Sequence, residues 1–261
     1  MKISIITVAF NSASTIRETL ESVKQQTHPD IEHIVVDGAS SDDTVAIVRG
    51  YPHVATCVSE PDSGLYDAIN KGIRLASGDF VGILNSDDFL TSNDSISDIV
   101  SALNRSGAQA VYGDVAFVDP HDLQRVVRSY SSKKFRPRRF RFGYMPAHPT
   151  FYAKRELFEQ YGHYKLGYKI SADFELLLRF LLVNSVSTVY LAEDLVYMRT
   201  GGLSNASLRS RYVLNKEIVK ACKENGVSTN MLLLSAKYLF KPLEYLKPKL
   251  GRIGKGSEHT S

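Results

Sequence analysis

The first hundred residues alternate two apolar rhythms, and no other feature restricts the possible fold as much. Lys2 to Ala9, Ile31 to Val36, His53 to Ser59 and Phe80 to Leu84 are short runs of strand length, rich in β-branched residues. Between them apolar residues recur at helical spacing: Ile16, Leu20 and Val23, then Leu65, Ile69, Ile73 and Ala76. After the fourth run the same spacing returns in Ile96, Ile99, Val100 and Leu103. A shorter helix is opened by Ser41-Asp42-Asp43-Thr44 and ends by Gly50. Thr15 with Glu18 has the capping-box spacing, and Asp62-Ser63-Gly64 reads as the cap of the third helix. Four β–α units in succession predict an α/β fold: a mostly parallel central sheet with helices on both faces.

Each strand-like run ends in a polar cluster: Thr7 to Asn11, Asp37 to Ser40, Glu60 to Asp62, and Asn85 to Asp88. In a parallel sheet those ends share one edge, where ligands of open α/β folds sit. The last cluster is Asn-Ser-Asp-Asp. Adjacent carboxylates repel, so the pair implies either a divalent metal on a diphosphate or a solvated turn capping the helix near Ser92. Asp37 stands where dinucleotide folds place their ribose-binding acid. No G-x-G-x-x-G follows the first strand and no P-loop motif occurs, so a nucleotide diphosphate at this edge requires a metal as counter-charge.

Beyond the fourth unit, Ala108 to Val118 reads as a strand or hairpin with Gly113 as a bulge. Residues 121–142 read as irregular, Ala147 to Tyr152 as a strand, and Ser171 to Val183 as an apolar helix. Thr188 to Met198 reads as two short strands around a turn at Glu193-Asp194, and Arg209 to Glu224 as an amphipathic helix. Without repeat or linker, the economical division is one domain over 1–205 with a helical, basic extension over 206–261.

The net charge of +4 conceals an asymmetry. Residues 1–120 carry seven Lys/Arg against seventeen Asp/Glu, residues 121–142 eight against one, and residues 201–261 eleven against four. The run Lys133-Lys134-Phe135-Arg136-Pro137-Arg138-Arg139-Phe140-Arg141-Phe142 is read as a mobile loop near the active site that meets an anionic acceptor or membrane, not nucleic acid. The segment Met231 to Leu246, interleaved with Lys237 and Lys241 and followed by Lys247 and Lys249, has the composition of an interfacial helix. Pro242 and Pro248 interrupt it, which leaves a docked C-terminal helix or a homo-oligomer contact as the alternative. No run approaches the ~18 apolar residues of a membrane span. The N-terminus has no targeting signal, and Cys57, read as buried, and Cys222 form no disulfide pattern. These readings predict a cytoplasmic protein whose membrane contact is peripheral, at the inner face of the plasma membrane.

Four motifs carry a family resemblance: Ile5-Ile6-Thr7-Val8-Ala9-Phe10-Asn11, Val35-Val36-Asp37-Gly38-Ala39-Ser40-Ser41-Asp42-Asp43-Thr44, Asp62-Ser63-Gly64-Leu65-Tyr66-Asp67-Ala68-Ile69-Asn70-Lys71-Gly72, and Gly78-Asp79-Phe80 through Asn85-Ser86-Asp87-Asp88. In order and spacing they resemble family-2 glycosyltransferases of the GT-A fold, of the bacterial kind that builds capsule, exopolysaccharide or lipopolysaccharide. A weaker match continues through Pro146-Ala147-His148-Pro149-Thr150-Phe151 and Ile170-Ser171-Ala172-Asp173-Phe174-Glu175-Leu176.

The resemblance implies that residues 1–120 form a nucleotide-sugar half and 121–205 an acceptor half. Thr7, Ala9, Asn11, Asp37 and Ser40 would hold the base and ribose of the donor, with Glu60 and Asp62 nearby. Asp67, Asn70 and Lys71, on one helix face, would line the donor pocket. Asp88, assisted by Asp87, would place Mg²⁺ or Mn²⁺ on the diphosphate. Tyr66 and His148 would meet the acceptor, a glycan or a polyprenyl-diphosphate-linked glycan. Asp173 would be the general base for one inverting displacement. Two positions depart from the family pattern: Asn85 where an aspartate is usual, and Ala172 before Asp173 where a glutamate is usual. No Q-x-x-R-W motif occurs and the chain has no Trp, which favours transfer of a single sugar over processive synthesis. The other readings are a catalytically inactive sugar-nucleotide-binding module and a nucleotidyltransferase. The latter would need a Gly-rich, basic first loop, which Ala9 to Ser14 is not.

Overall fold

A computed structural model describes residues 1–200 and 208–235. Every residue of the first strand, β1 (Ile3–Ala9), is buried, because it lies between two parallel neighbours and under helices on both faces. Its neighbours are β2 (Ile31–Asp37) and β4 (Phe80–Ile83), and β3 (Val54–Ser59) lies parallel outside β2. Side chains of β1 and β2 divide between the faces with the period of two. Ile3 and Ile5 pack against α4 (Ser95–Ser106), while Ala9 and Val35 meet α1 (Ile16–Lys24) and α2 (Thr44–Arg49). On the other face Ile6, Val8, Ile34 and Val36 pack with α3 (Leu65–Leu75), α5 (Arg155–Tyr161), α6 (Ala172–Leu178) and α7 (Leu208–Glu224) in one continuous core.

Past β4 the sheet changes direction. The remaining strands are β5 (Asp88–Leu90), β6 (Ala110–Asp119), β7 (Asp122–Tyr130), β8 (Tyr152–Lys154) and β9 (Thr188–Arg199). The order is β3-β2-β1-β4-β8-β6-β9-β5, with β7 paired to β6. β8 runs antiparallel to β4 with Gly82 opposite Tyr152. A Cβ on Gly82 would stand 2.1 Å from the Tyr152 ring, so only glycine admits that ring over the strand.

Several local readings are corrected. Asp87-Asp88 is no solvated cap: Asp88 begins β5, paired with Met198, and the helix starts only at Ser95. Residues 122–130 form a strand, not an irregular stretch. β7 pairs only with β6 and exposes nearly all its side chains, so it has no apolar alternation to betray it. Pro149 sits in a 3₁₀ turn (His148–Thr150) where a strand was expected, and the strand starts only at Tyr152. Glu193-Asp194 lies within continuous β9, at a register shift opposite Tyr112 and Asp114, and not in a turn. Thr15 forms no side-chain cap, and Glu18 instead pairs with Arg199 at 3.4 Å. Cys57 is exposed, because β3 is the outermost strand and turns every second residue to solvent. The apolar segment Met231 to Leu246 lies outside the described residues beyond Ser235, and the expected boundary at 205/206 falls among 201–207, also outside them.

Buried in the sheet is a polar chain: Thr7 Oγ1 to His33 Nε2 at 2.9 Å, and His33 Nδ1 to His53 Nε2 at 3.2 Å. Burial and the neighbouring His53 hold His33 neutral, with its pKa lowered to about 3. A depressed histidine pKa means that the unfolded chain binds the extra proton. The associated stability is therefore complete above about pH 6.5 and is lost as pH falls toward 3. Urea unfolding is expected to show a loss of about 2 kcal/mol between pH 7 and pH 5 in the wild type relative to His33→Gln. Equal pH slopes in the two proteins would contradict this assignment.

Candidate active site

The carboxyl ends of β3, β2, β1 and β4 lie side by side in that order. β8 is antiparallel, so its start, and the His148 turn just before it, stand at the carboxyl end of β4. The topology thus collects Asp62, Asp37, Asn11, Asp87-Asp88 and His148 along one edge, although Asn11 and His148 are 137 residues apart in the chain.

On the β1–β3 side the loops lock each other. Asp37 is fully buried, and its carboxylate accepts the Ser40 N–H (2.9 Å), the Ser40 hydroxyl and the Ser59 hydroxyl (2.7 Å). The Asn11 N–H donates to Ser40 Oγ (2.8 Å), and Asn11 Oδ1 accepts the Ser41 N–H (2.9 Å). Asn11 (φ 48°) and Ala39 (φ 61°) are both left-handed, a conformation non-glycine residues adopt at a cost. Ala9 is buried at the end of β1, where its carbonyl accepts the Gly38 N–H at 2.9 Å. Thr7 is turned into the sheet interior, its hydroxyl spent on His33. Asp62 Oδ1 accepts the Gly64 N–H, and its other oxygen lies 2.6 Å from where a Gly38 Cβ would stand. Phe10, 65% exposed, leans on the same Gly38.

The face of α3 divides differently from its expected role. Lys71 binds Glu60 Oε1 and the Pro61 carbonyl, both at 2.8 Å, and the hydrogen bond to Glu60 raises its pKa. Asp67 accepts the Ser63 N–H at 3.0 Å. Asn70 is buried and exchanges two hydrogen bonds with the Tyr164 backbone (2.8 and 3.0 Å), so it fastens α3 to the loop before α6. Tyr66 is likewise buried, stacks on Tyr164, and donates to the Ile170 carbonyl at 2.6 Å.

At the centre of the edge stands the carboxylate pair. Asp87 is exposed, whereas Asp88 is 2% exposed, with Asn85 Nδ2 (3.1 Å) donating to its carboxylate. Burial first, then the Asp87 charge, push the Asp88 carboxyl well above the usual range. Arg199 bonds the Asp87 carbonyl and lies against Phe89, and its charge pulls the other way. Asn85, the departure from the family pattern, therefore serves as a hydrogen-bond donor to Asp88.

Across β4, Asp173 opens α6, 9% exposed, with Oδ2 3.2 Å from His148 Nδ1 and Oδ1 accepting the Phe174 N–H at 2.8 Å. Burial raises its carboxyl, and His148 opposes that shift. The segment before Asp173 is clamped from α7: Glu217 accepts the N–H groups of Lys169 (2.7 Å), Ile170 (3.0 Å) and Ser171 (3.0 Å). Glu175 faces away from the edge and is fully paired by Arg179, Lys165 and Asn225.

Three comparisons bear on this arrangement. The model of "Glycosyl transferase family 2" matches residues 4–162, more than half of the chain. The chain belongs to glycosyl transferase family 2. Among its relatives are the glycosyltransferase Rv1514c of Mycobacterium tuberculosis, 36% identical over 191 residues (72% of this chain, 71% of the relative), and the PGL/p-HBAD biosynthesis glycosyltransferase of Mycobacterium bovis BCG, 29% identical over 223 residues (83% and 82%). Staphylococcus aureus TarS in complex with UDP-GlcNAc shares the fold, with TM-score 0.70 at 20% identity over 94% of this chain and 73% of that one. The mannosyltransferase PcManGT of Pyrobaculum calidifontis, in complex with GDP-Man and Mn²⁺, shares it with TM-score 0.59 at 18% identity over 95% and 81%. The GT-A fold and the glycosyltransferase activity read from the sequence are thus borne out. The nucleotidyltransferase reading falls away.

Three features of this family-2 site were not read from the sequence. Phe10 is the penultimate residue of the first motif and is signalled only as an aromatic residue after a strand. Arg199 ends β9 with no motif around it. Glu217 lies beyond the residues the family model matches, on a helix face that periodicity alone marks as polar. Replacing Glu217 by alanine leaves three backbone donors without their acceptor and is expected to cost about 1–3 kcal/mol in urea unfolding. An unchanged midpoint would mean that the clamp is not made in solution.

Proposed function

We propose that this family-2 glycosyltransferase is a metal-dependent, inverting and non-processive enzyme. It moves one sugar from a nucleotide-diphosphate sugar to a glycan or lipid-linked glycan in cell-surface polysaccharide synthesis. One observation carries the reading. A buried acid beside an exposed one, and a second buried acid paired with a partly exposed histidine, stand at the same sheet edge, on either side of the end of β4.

The residues fit a divalent ion. Asp88 is buried beside a second carboxylate with only an amide donor on its side chain, which is unfavourable unless the proton is kept or a cation arrives. Among the described residues no group of three His, Cys, Asp or Glu gathers as a metal cage. Enzymes that hold Mg²⁺ on substrate phosphates commonly use one or two carboxylates, the phosphates supplying the rest. When bound, the ion would act as a Lewis acid on the negative charge that develops on the departing diphosphate. Asp87 and Asp88 would hold it, with Asn85 orienting Asp88. Phe10 presents a ring to the base, while the locked Asn11–Ser40–Asp37 loop and Asp62 shape the ribose end. Lys71 stands by on its Glu60 bridge, within reach of the donor side.

Asp173 takes the acceptor proton. Its burial makes it a stronger base than an ordinary aspartate, and His148 orients its outer oxygen. The hydroxyl attacks the anomeric carbon as the diphosphate leaves, one displacement that inverts the centre. Two fold relatives were solved with UDP-GlcNAc and with GDP-Man and Mn²⁺, which supports carrying a nucleotide-sugar donor over to this chain.

A thermal-shift screen of UDP-, GDP- and dTDP-sugars with and without Mn²⁺ tests the donor and metal together. At a hundred times Kd, the matching donor is expected to raise Tm by about 5–10 °C. Asp88→Asn should abolish the part that depends on metal. No stabilisation by any donor, or the same stabilisation in chelator, would overturn the reading.

Asp173→Asn should retain the donor shift while turnover drops about 10²–10⁴-fold. Because burial raises the Asp173 pKa, kcat/KM should fall with acid above the ordinary aspartate range. His148→Asn removes the opposing influence, so that acid limb should move to higher pH. A limb that stays in place would exclude the pair as the catalytic base.

A further inference from the structure

One charged region takes no part in this chemistry. From Leu123 to Arg155 the sequence contains no Asp or Glu and ten Lys or Arg. In the structure residues 133–146 form a closed loop. At its neck Ser132 Oγ donates to the Gly113 carbonyl (2.8 Å) and accepts the Ala147 N–H (3.0 Å), while Asp114 accepts the Ser132 N–H (2.6 Å). Its interior is Phe135 and Phe140, buried edge to face at 5.2 Å, with Phe140 against Phe174 at 5.3 Å. The loop is therefore held in shape, contrary to the mobile loop expected.

With the aromatics turned in, the cations turn out. Lys133, Lys134, Arg136, Arg138, Arg139 and Arg141 are all exposed, and none is paired with a carboxylate among the described residues. The flanking Arg125, Lys154 and Arg155 do pair, with Asp119, Glu156 and Glu159. Phe142 ends the 3₁₀ turn (Pro137–Phe142) 41% exposed, beside Gly143 at φ 71°. Six unpaired cations around one exposed phenyl ring suit a surface that is anionic outside and apolar just beneath.

We propose that the 133–142 loop docks this glycosyltransferase on an anionic lipid surface, with Phe142 entering the headgroup layer and the six cations facing lipid phosphates. A nucleic-acid surface would expose its interleaved aromatics for base stacking, whereas Phe135 and Phe140 are buried here. The placement also serves the acceptor. Phe140 rests on Phe174, next to Asp173, and His148 follows the neck directly, so docking sets the acceptor side of the site against the membrane. Thr229 Oγ1 donates to the Arg141 carbonyl at 2.6 Å, which ties the segment after α7 to the loop. The inference deepens the lipid-linked-acceptor reading, but its test measures binding and not turnover, so either can fail alone.

Co-sedimentation of the full chain with vesicles decides it. At 50 mM salt the protein should bind phosphatidylglycerol–phosphatidylcholine vesicles, should not bind phosphatidylcholine alone, and should be released at 500 mM salt. Lys133, Lys134, Arg138 and Arg141 make no side-chain hydrogen bond in the loop, so changing all four to Gln should leave Tm unchanged. At about fivefold per cation, partitioning should weaken at least a hundredfold. Phe142→Ser should weaken it on its own, and a matched variant of Arg17, Arg49, Arg74 and Arg105 should not. The proposal is overturned if the wild type ignores anionic vesicles, if the four-residue variant binds within threefold of it, or if single-stranded RNA displaces it from vesicles at low salt.

Discussion

Taking a carboxylate out of water is the constraint around which this molecule is arranged. Among the described residues four acids are buried, and the chain treats them in two ways. Asp37 is saturated by serine donors, and Glu175 is enclosed by an arginine, a lysine and an amide that outweigh its burial. Asp37 shapes the β2 loop, and Glu175 ties α6 to the segment 161–165 and to Asn225. Asp88 and Asp173 are left undercompensated, and burial pushes both upward. A fold does not leave two such acids short of partners at one edge at no cost. An incoming cation and an acceptor proton would each relieve one of them.

The parallel half was legible because its physics is local. Strand runs in β1, β2 and β4 are continuous because both faces are covered, and the helices between them show a single apolar stripe. The polar strand ends followed from that pattern alone, and with them the edge that holds Asp37, Asp62 and Asp87-Asp88. What local pattern does not report is how a side chain at that edge is spent. Thr7 and Asn70 have the right residue types in the right motifs, yet one bonds a buried histidine and the other a loop backbone. Residue type suggests a role, but pairing decides it.

The second half was harder to read for physical reasons that differ from element to element. β7 is an outer strand with little apolar demand, and Pro149 replaced a strand by a 3₁₀ turn. β9 hides a register shift at Glu193-Asp194 that looks like a turn in sequence. The clamp from Glu217 on α7 to residues 169–171 joins segments almost fifty residues apart and has no spacing signature at all.

That second half nevertheless completes the site, and it does so through one reversal of direction. Had β8 continued parallel to β4, the His148 turn would have fallen at the opposite edge, away from Asp173. Because β8 enters antiparallel, with Tyr152 laid over Gly82, the chain just before it arrives at the carboxyl end of β4. His148 then meets Asp173 there, while the loop leading into that turn is pinned by Ser132 and by Phe140 against α6. The same short strand thus brings the His148–Asp173 pair to the edge of the carboxylate pair and leaves the basic loop beside it. The edge with Asp37 and Asp87-Asp88 comes from a pattern that repeats along the sequence, and the His148–Asp173 side from a single antiparallel insertion that depends on one glycine.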